Sequence, residues 1–252
     1  MARILGAGLA ALALAFAASA AAASPNLLVN PDFEQVQRTG TQREDRGQID
    51  YNVTLPGWRS TGADGTIGYN FVYEPYTVDE FGSPGQLGYL KLWGPKSDTP
   101  SDNGLPPFSP AGGNFIGIEA DDYANVPVQQ TVGGMAPGSE YALSFYSGVG
   151  QQYGYSGAAD VTLAVSLGND TQTIGPIHNE SHGFTGWAQH TLSFTATASS
   201  EVLSFLATGT PSGVPPFVLL DAMALSQIPE PGSIALLGAG LAGLGLICLR
   251  RR

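Results

Sequence analysis

Three stretches of this chain place bulky apolar residues at every second position: Tyr141-Ala142-Leu143-Ser144-Phe145-Tyr146, Val161-Thr162-Leu163-Ala164-Val165-Ser166-Leu167 and His190-Thr191-Leu192-Ser193-Phe194-Thr195. A repeat of two turns one side of an extended backbone toward a core and the other toward water, so each stretch predicts a half-buried strand. No segment between the two chain ends carries a sustained 3.6-residue apolar repeat. Further strands are predicted at 114–119, 128–132, 202–207 and 217–225. Gly138-Ser139, Gly168-Asn169-Asp170, Gly183 and Gly209 punctuate them at sandwich-like intervals. With 34 glycines and 18 prolines, the composition favours many turns over long helices. The expectation is an all-β domain, an antiparallel β-sandwich, with room for a helix or two in the long early loops.

The two ends of the chain are apolar and stand apart from this pattern. Arg3, an uninterrupted apolar run over 4–18, and the small residues Ala18-Ser19-Ala20 and Ala21-Ala22-Ala23 form the n-region, h-region and cleavage site of a secretory signal peptide, residues 1–23. The run is too short, and too cleavable, for a permanent anchor. At the other end, Pro229-Glu230-Pro231-Gly232 breaks regular structure. An apolar or small stretch over 233–249 and Arg250-Arg251-Arg252 follow. That stretch is just short of the ~20 residues that span a bilayer core, and the arginines would stay on the cytoplasmic side. Gly238-Ala239-Gly240-Leu241-Ala242-Gly243 fits a dinucleotide fingerprint, but its apolar setting contradicts that role; small residues there let helices approach in lipid.

The order Pro229-Glu230-Pro231, membrane-spanning run and basic end resembles the PEP-CTERM sorting family. The resemblance implies an exported protein whose tail, residues 228–252, is recognised by an exosortase after signal peptidase has acted. An inner-membrane intermediate is expected first, then release or attachment at the cell surface or in the matrix, alongside exopolysaccharide and biofilm production. Without the sorting enzyme the same tail would be a plain membrane anchor.

Residues 24–227 are left as one domain of about two hundred residues, enough for a sizeable core. It carries 20 acidic against 6 basic residues, a net of -14. A duplex or single strand demands a basic footprint, so no nucleic-acid partner is expected. Acidity suits solubility and divalent cations. The single cysteine, Cys248, lies in the tail, which leaves the domain without disulfides or thiol chemistry.

Within the domain, several segments resemble the galactose-binding-like jelly rolls shared by many carbohydrate-binding modules. They are Asn26-Leu27-Leu28-Val29-Asn30-Pro31-Asp32-Phe33-Glu34 as an opening strand, Leu55-Pro56-Gly57-Trp58, a central hairpin of Val128-Gln129-Gln130-Thr131-Val132 with 141–145, and a closing strand over 217–225. Gly112-Gly113-Asn114-Phe115 leads into another strand. Pro31 replaces a more usual glycine, and Ala222 a more usual polar residue. In that class a structural Ca²⁺ often bridges the opening and closing strands. The resemblance puts Glu34 and Asp221 in the matching positions, with Asp32 or Asp122 as further oxygen donors. The plain alternative is that both carboxylates cap turns or accept backbone hydrogen bonds.

Aromatic residues crowd one stretch: Tyr69, Phe71, Tyr73, Tyr76, Phe81, Tyr89 and Trp93, interleaved with Asn70, Glu74, Asp79 and Glu80. Tyr146, Tyr153 and Tyr155 follow, with Gln151 and Gln152. Aromatic faces stack on sugar rings while amides and carboxylates read hydroxyls, so Tyr69, Tyr73, Tyr76, Trp93 and Tyr153 are candidate glycan contacts. Ordinary strand packing explains the alternating Tyr69-Phe71-Tyr73 equally well. His178-Asn179-Glu180-Ser181-His182 is not a helical zinc motif, and Gly175-Pro176 and Gly183 place it on a loop. Asp121-Asp122 and Asp79-Glu80 are adjacent carboxylates that point apart on a strand, and no nucleophile elbow or phosphate loop occurs in the domain. The leading reading is a non-enzymatic surface or matrix protein that binds exopolysaccharide. A structural or adhesive protein without glycan recognition is the rival, and a secreted polysaccharide hydrolase is third.

Overall fold

In the computed structural model the described residues are 24–38, 47–80, 84–85, 88–97, 102–121 and 125–229, with only the backbone at 84–85 and 88–89. The signal peptide, the apolar tail with Glu230 and Pro231, Phe81 and Asp122 fall outside them. Thirteen strands form among the described residues: β1 (Gln37–Arg38), β2 (Val53–Thr54), β3 (Asn70–Tyr73), β4 (Pro84–Gly85), β5 (Gly88–Tyr89), β6 (Phe115–Glu119), β7 (Val128–Gly133), β8 (Glu140–Gln151), β9 (Ala159–Leu167), β10 (Asp170–Asn179), β11 (Ala188–Thr195), β12 (Ser200–Thr210) and β13 (Pro216–Gln227). No helix occurs among the described residues, so nothing there is a helix able to cross a membrane.

Two antiparallel sheets dominate, one ordered β10-β9-β12-β7 and the other β11-β8-β13-β6-β3. The alternation read from the sequence sets their inner faces. Tyr141, Leu143, Phe145 and Val149 of β8 meet Val161, Leu163 and Val165 of β9 and Leu203 and Phe205 of β12 in one core. Phe145 and Phe205 meet edge to face at 5.4 Å, one from each sheet. Trp58 closes this core against Phe33 and Phe205, and its indole nitrogen donates to the Asn30 carbonyl at 3.0 Å. The sandwich, one compact unit over Pro25–Ile228, confirms the expected architecture.

Two pairings differ from expectation. β7 and β8 are not a hairpin: β7 pairs with β12 in the four-stranded sheet, and β8 with β11 and β13 in the other. A period of two reports burial of one face, not which sheet a strand joins. The opening segment is also not a ladder strand. It lies against the end of β13, where Leu27 donates to the Leu225 carbonyl at 2.9 Å and Asn26 grips both Met223 and Leu225. A bulge between Asp221 and Ala224, with Ala222 at φ 52°, makes room for this exchange. Before the bulge β13 is flanked by β6; after it, by the opening segment.

The outer side of the five-stranded sheet holds a second apolar layer. Tyr69 just before β3, Phe71 and Tyr73 of β3, Phe115 of β6, and Phe217 and Leu219 of β13 point away from the sandwich core and pack under Val78, Leu90, Leu92 and Leu105. Phe184 and Trp187 complete this roof. Glycines on the sheet let it come close: a side-chain carbon at Gly148 would stand 2.8 Å from the Gly186 carbonyl and 2.9 Å from the Phe184 ring. At Gly150 it would meet Leu92, and at Gly117 the Tyr73 ring.

Candidate functional site

Strand register defines what the roof leaves uncovered. On the outward side of β11, β8 and β13, Gln189, Tyr146 and Asp221 stand side by side; Thr191, Ser144 and Ala224 form the next row; Ser193, Ala142 and Ser226 the third. Their direction follows from β8, whose odd positions from Tyr141 to Val149 fill the core and whose even positions therefore face out. Gln189, Thr191 and Ser193 are exposed, and Ala142, Ser144, Tyr146, Ala224 and Ser226 are half-buried. The result is an open platform of one aromatic ring, one amide and four hydroxyl-bearing residues, bounded on one side by a buried carboxyl.

That carboxyl, Asp221, is fully buried. The Ser109 hydroxyl donates to its Oδ2, while its Oδ1 is buried without a hydrogen-bond partner. Burial pushes the acid up to about 7, and the nearby charges of Glu34 and Asp32 add to the shift against the opposing hydrogen bonds from Ser109 and Ala222. Glu34 is exposed, and its Oε1 accepts from the Asn114 backbone at 2.5 Å; its carboxylate occupies the space a side chain at Gly113 would need. Glu34 and Asp221 thus share one neighbourhood, as the sequence resemblance implies, and Glu34 also accepts a backbone hydrogen bond. Exposed Asp32 is close enough to Asp221 to act on it electrostatically. The donor set suits a hard cation: carboxylate oxygens, one of them orphaned and buried on an acid whose pKa is raised chiefly by burial and whose charge a cation would compensate. Among the described residues no group of three or more histidine, cysteine or acidic side chains could hold a metal ion, so any further ligands there would be backbone carbonyls or water.

The predicted aromatic contacts are divided by the fold. Tyr69 and Tyr73 are buried in the roofed layer, Tyr73 completely, and they offer no face to a ligand. Tyr73 is a strand residue, as alternation implied, and Tyr69 immediately precedes the strand; both sides of β3 are covered, because a third layer lies over it. Trp93 is 8% exposed: it stacks on His182 at 3.9 Å, contacts Tyr153 at 4.6 Å and donates to the Tyr155 carbonyl at 2.8 Å. Tyr153 is half-buried, with the Lys91 ammonium 4.2 Å from its ring centre. Tyr76 is 55% exposed and meets exposed Phe108 edge to face at 6.0 Å. The platform residue Tyr146 was visible in sequence only as one more tyrosine, and Ser109 and Gln189 carried no signal there.

The other candidates are engaged in the framework. His178 lies at the end of β10, not on a loop, because Gly175-Pro176 makes a bulge inside that strand. Its ring bonds Asp160 at 2.8 Å, which together with Glu180 raises its pKa, whereas His182 bonds Ser156 and stacks on Trp93. Asp121 accepts from the Gly213 backbone, buried Asp79 from the Lys96 backbone, and Glu80 pairs with the Lys96 ammonium.

Comparison with known proteins bears on the tail. Residues 227–252 match the PEP-CTERM protein-sorting motif. This chain ends in a PEP-CTERM sorting tail. Such a tail implies export and processing by an exosortase, and it includes Pro229, Glu230 and Pro231. No curated protein matches the PEP-CTERM-tailed chain. Among solved structures, TmCBM61 in complex with beta-1,4-galactotriose is 16% identical, with a TM-score of 0.40 over 81% of this chain and 100% of its own. The CBM22-1 xylan-binding domain of Xyn10C from Paenibacillus barcinonensis is 15% identical, with a TM-score of 0.36 over 84% and 99%. The K1 cleaved adhesin domain of Lys-gingipain from Porphyromonas gingivalis W83 is 12% identical, with a TM-score of 0.37 over 77% and 98%.

Proposed function

We propose that this exported domain is a non-catalytic glycan-binding module of the cell surface or extracellular matrix, and that it holds exopolysaccharide on the open part of its five-stranded sheet. The observation that carries this reading is the platform itself. Tyr146 offers a ring between an exposed amide and a carboxyl, with rows of hydroxyl groups beneath, on a sheet whose neighbouring surface is filled by the protein's own side chains. An aromatic face with convergent polar groups is the chemistry sugar rings require. The PEP-CTERM tail supports delivery to the place where such polymers accumulate.

We further propose that Glu34 and Asp221 hold a structural Ca²⁺. When bound it would supply charge compensation, tying the opening segment to the closing strand. The orphaned Oδ1 of Asp221 and the raised pKa of that buried acid support this reading.

Affinity electrophoresis of the full chain in detergent, through gels cast with the organism's own purified matrix polysaccharide, tests the glycan reading. The wild type should be retarded and Tyr146→Ala should lose most of the retardation, with its melting temperature little changed. Equal retardation of Tyr146→Ala, or none for the wild type, would refute it.

A further inference from the structure

The chain's charges say which class of glycan the platform can accept. β8, β11 and β13, the opening segment 26–34 and the loop 109–114 contain no lysine or arginine. The four basic side chains among the described residues are all committed elsewhere. Arg38 pairs with Glu74, and Lys96 with Glu80 at 2.6 Å. Arg59 bonds Gln129 at 3.0 Å on β7 of the other sheet, and Lys91 lies over Tyr153. Arg43 and Arg46 are outside the described residues. The one histidine of these strands, His190, turns inward: its ring packs 5.4 Å from Phe145, it bonds Ser147, and burial lowers its pKa, so it presents no positive charge to the platform.

The border of the platform is, by contrast, acidic. Exposed Glu34 accepts from Asn114, in the loop whose Ser109 covers the buried Asp221 of the first row, and exposed Asp32 lies two residues before Glu34. The whole domain carries a net charge of -14. With no Ca²⁺ at Glu34 and Asp221, a carboxylate on a bound sugar would meet like charge and, among the described residues, no basic side chain to offset it, on a sheet surface where partial desolvation strengthens the repulsion. Hydroxyl, amide and ammonium substituents would meet acceptors and donors that suit them.

We infer that the platform selects neutral or amino-substituted polysaccharides and rejects uronate-bearing ones. This inference rests on the glycan-binding reading above. It assigns the discrimination to the absence of basic side chains around Tyr146 among the described residues, together with the acidic border, and it makes the binding sensitive to salt in a defined direction: added salt screens the repulsion and narrows the gap between the classes.

The test is retention of the full chain in detergent on a panel of immobilised polymers at about 20 mM salt, an ionic strength at which screening is weak. Xylan, galactan and β-glucan serve as neutral members, chitosan as the amino member, and polygalacturonate and alginate as uronates, each with EDTA and again with Ca²⁺. At least one neutral or amino polymer should be retained at least about tenfold more strongly than either uronate, a gap equivalent to about 1.4 kcal/mol. Gln189→Lys, a change at an exposed position beside Tyr146, should bring uronate retention up while leaving the melting temperature unchanged. Retention of a uronate polymer in EDTA as strong as that of the best neutral one would overturn the inference, as would a Gln189→Lys variant that gains none. Failure of every polymer to bind would instead remove the glycan reading beneath it.

Discussion

The outer side of the five-stranded sheet is one continuous surface with two fates. Over Phe71, Phe115, Phe217 and Leu219 it is sealed by Val78, Leu90, Leu92, Leu105, Phe184 and Trp187; over Tyr146, Ser144 and Ala142 it meets solvent. The same strand, β8, crosses both. Where it is sealed it carries Gly148 and Gly150, and where it is open it carries Tyr146, Ser144 and Ala142 at the equivalent alternate positions. A sheet face is thus roofed or left open by the size of the residues at every second position, without any change in backbone course. The contrast teaches why aromatic density in the sequence does not mark an open surface: the densest aromatic segment supplies the roofed layer.

Truncation should separate the halves most strongly. Phe71→Ala empties a fully buried position and is expected to cost about 3–5 kcal/mol in denaturant unfolding, without a specific effect on glycan retention in the fraction that remains folded. Tyr146→Ala should cost at most about 1 kcal/mol, a typical value for a point mutant. Equal losses of stability at the two sites would dissolve the comparison.

Asp221 stands at the border between the halves, and it tests whether that border is built for a cation. Its acid form persists to about pH 7 in the folded chain, against an ordinary value of 3.8 when unfolded. Between those values the folded state binds more protons, so stability falls as pH rises from about 4 to about 7 and stays at the lower level above. The loss should be on the order of a few kcal/mol, should disappear in Asp221→Asn, and should be relieved by Ca²⁺ at pH 8 more than at pH 5. A melting temperature indifferent to Ca²⁺ and EDTA at both pH values would remove the metal from the account.

The last contrast sets a glycine of β8 against a serine of the same strand. Gly148→Ala must displace either the Gly186 carbonyl or the Phe184 ring and should cost about 1–3 kcal/mol. Ser144→Ala, four residues earlier on the same side of the same strand, should stay within about 0.5 kcal/mol. A neutral Gly148→Ala would mean that the roof yields easily.

Much of the fold was legible in the sequence for a physical reason: β8, β9 and β11 each have one buried face, and that leaves a period of two. β10 escaped because it is an edge strand whose inward positions are only partly buried and whose phase flips at the Gly175-Pro176 bulge, so no unbroken alternation survives. The roof escaped because Val78, Leu90, Leu92 and Leu105 come from loops with no period at all. The placement of Glu34 near Asp221 followed from resemblance, whereas Ser109, 112 residues from its partner Asp221, could be found only once the chain was folded. The platform is a property of register across three strands, and no local pattern encodes it.

The way the chain leaves the domain has a mechanical consequence. β13 is held along ten register pairs by β8 and by β6 on its other side, and the last backbone bond among the described residues, from Ile228 to the Glu140 carbonyl, comes immediately before Pro229-Glu230-Pro231. Tension applied through the C-terminus therefore enters along the axis of a central strand. To yield, that strand must shear many hydrogen bonds at once, instead of peeling them one by one from an edge. A glycan gripped beside Tyr146 would load the adjacent strand of the same sheet, so a polymer pulling on this protein in flowing water would strain it in its stiffest direction.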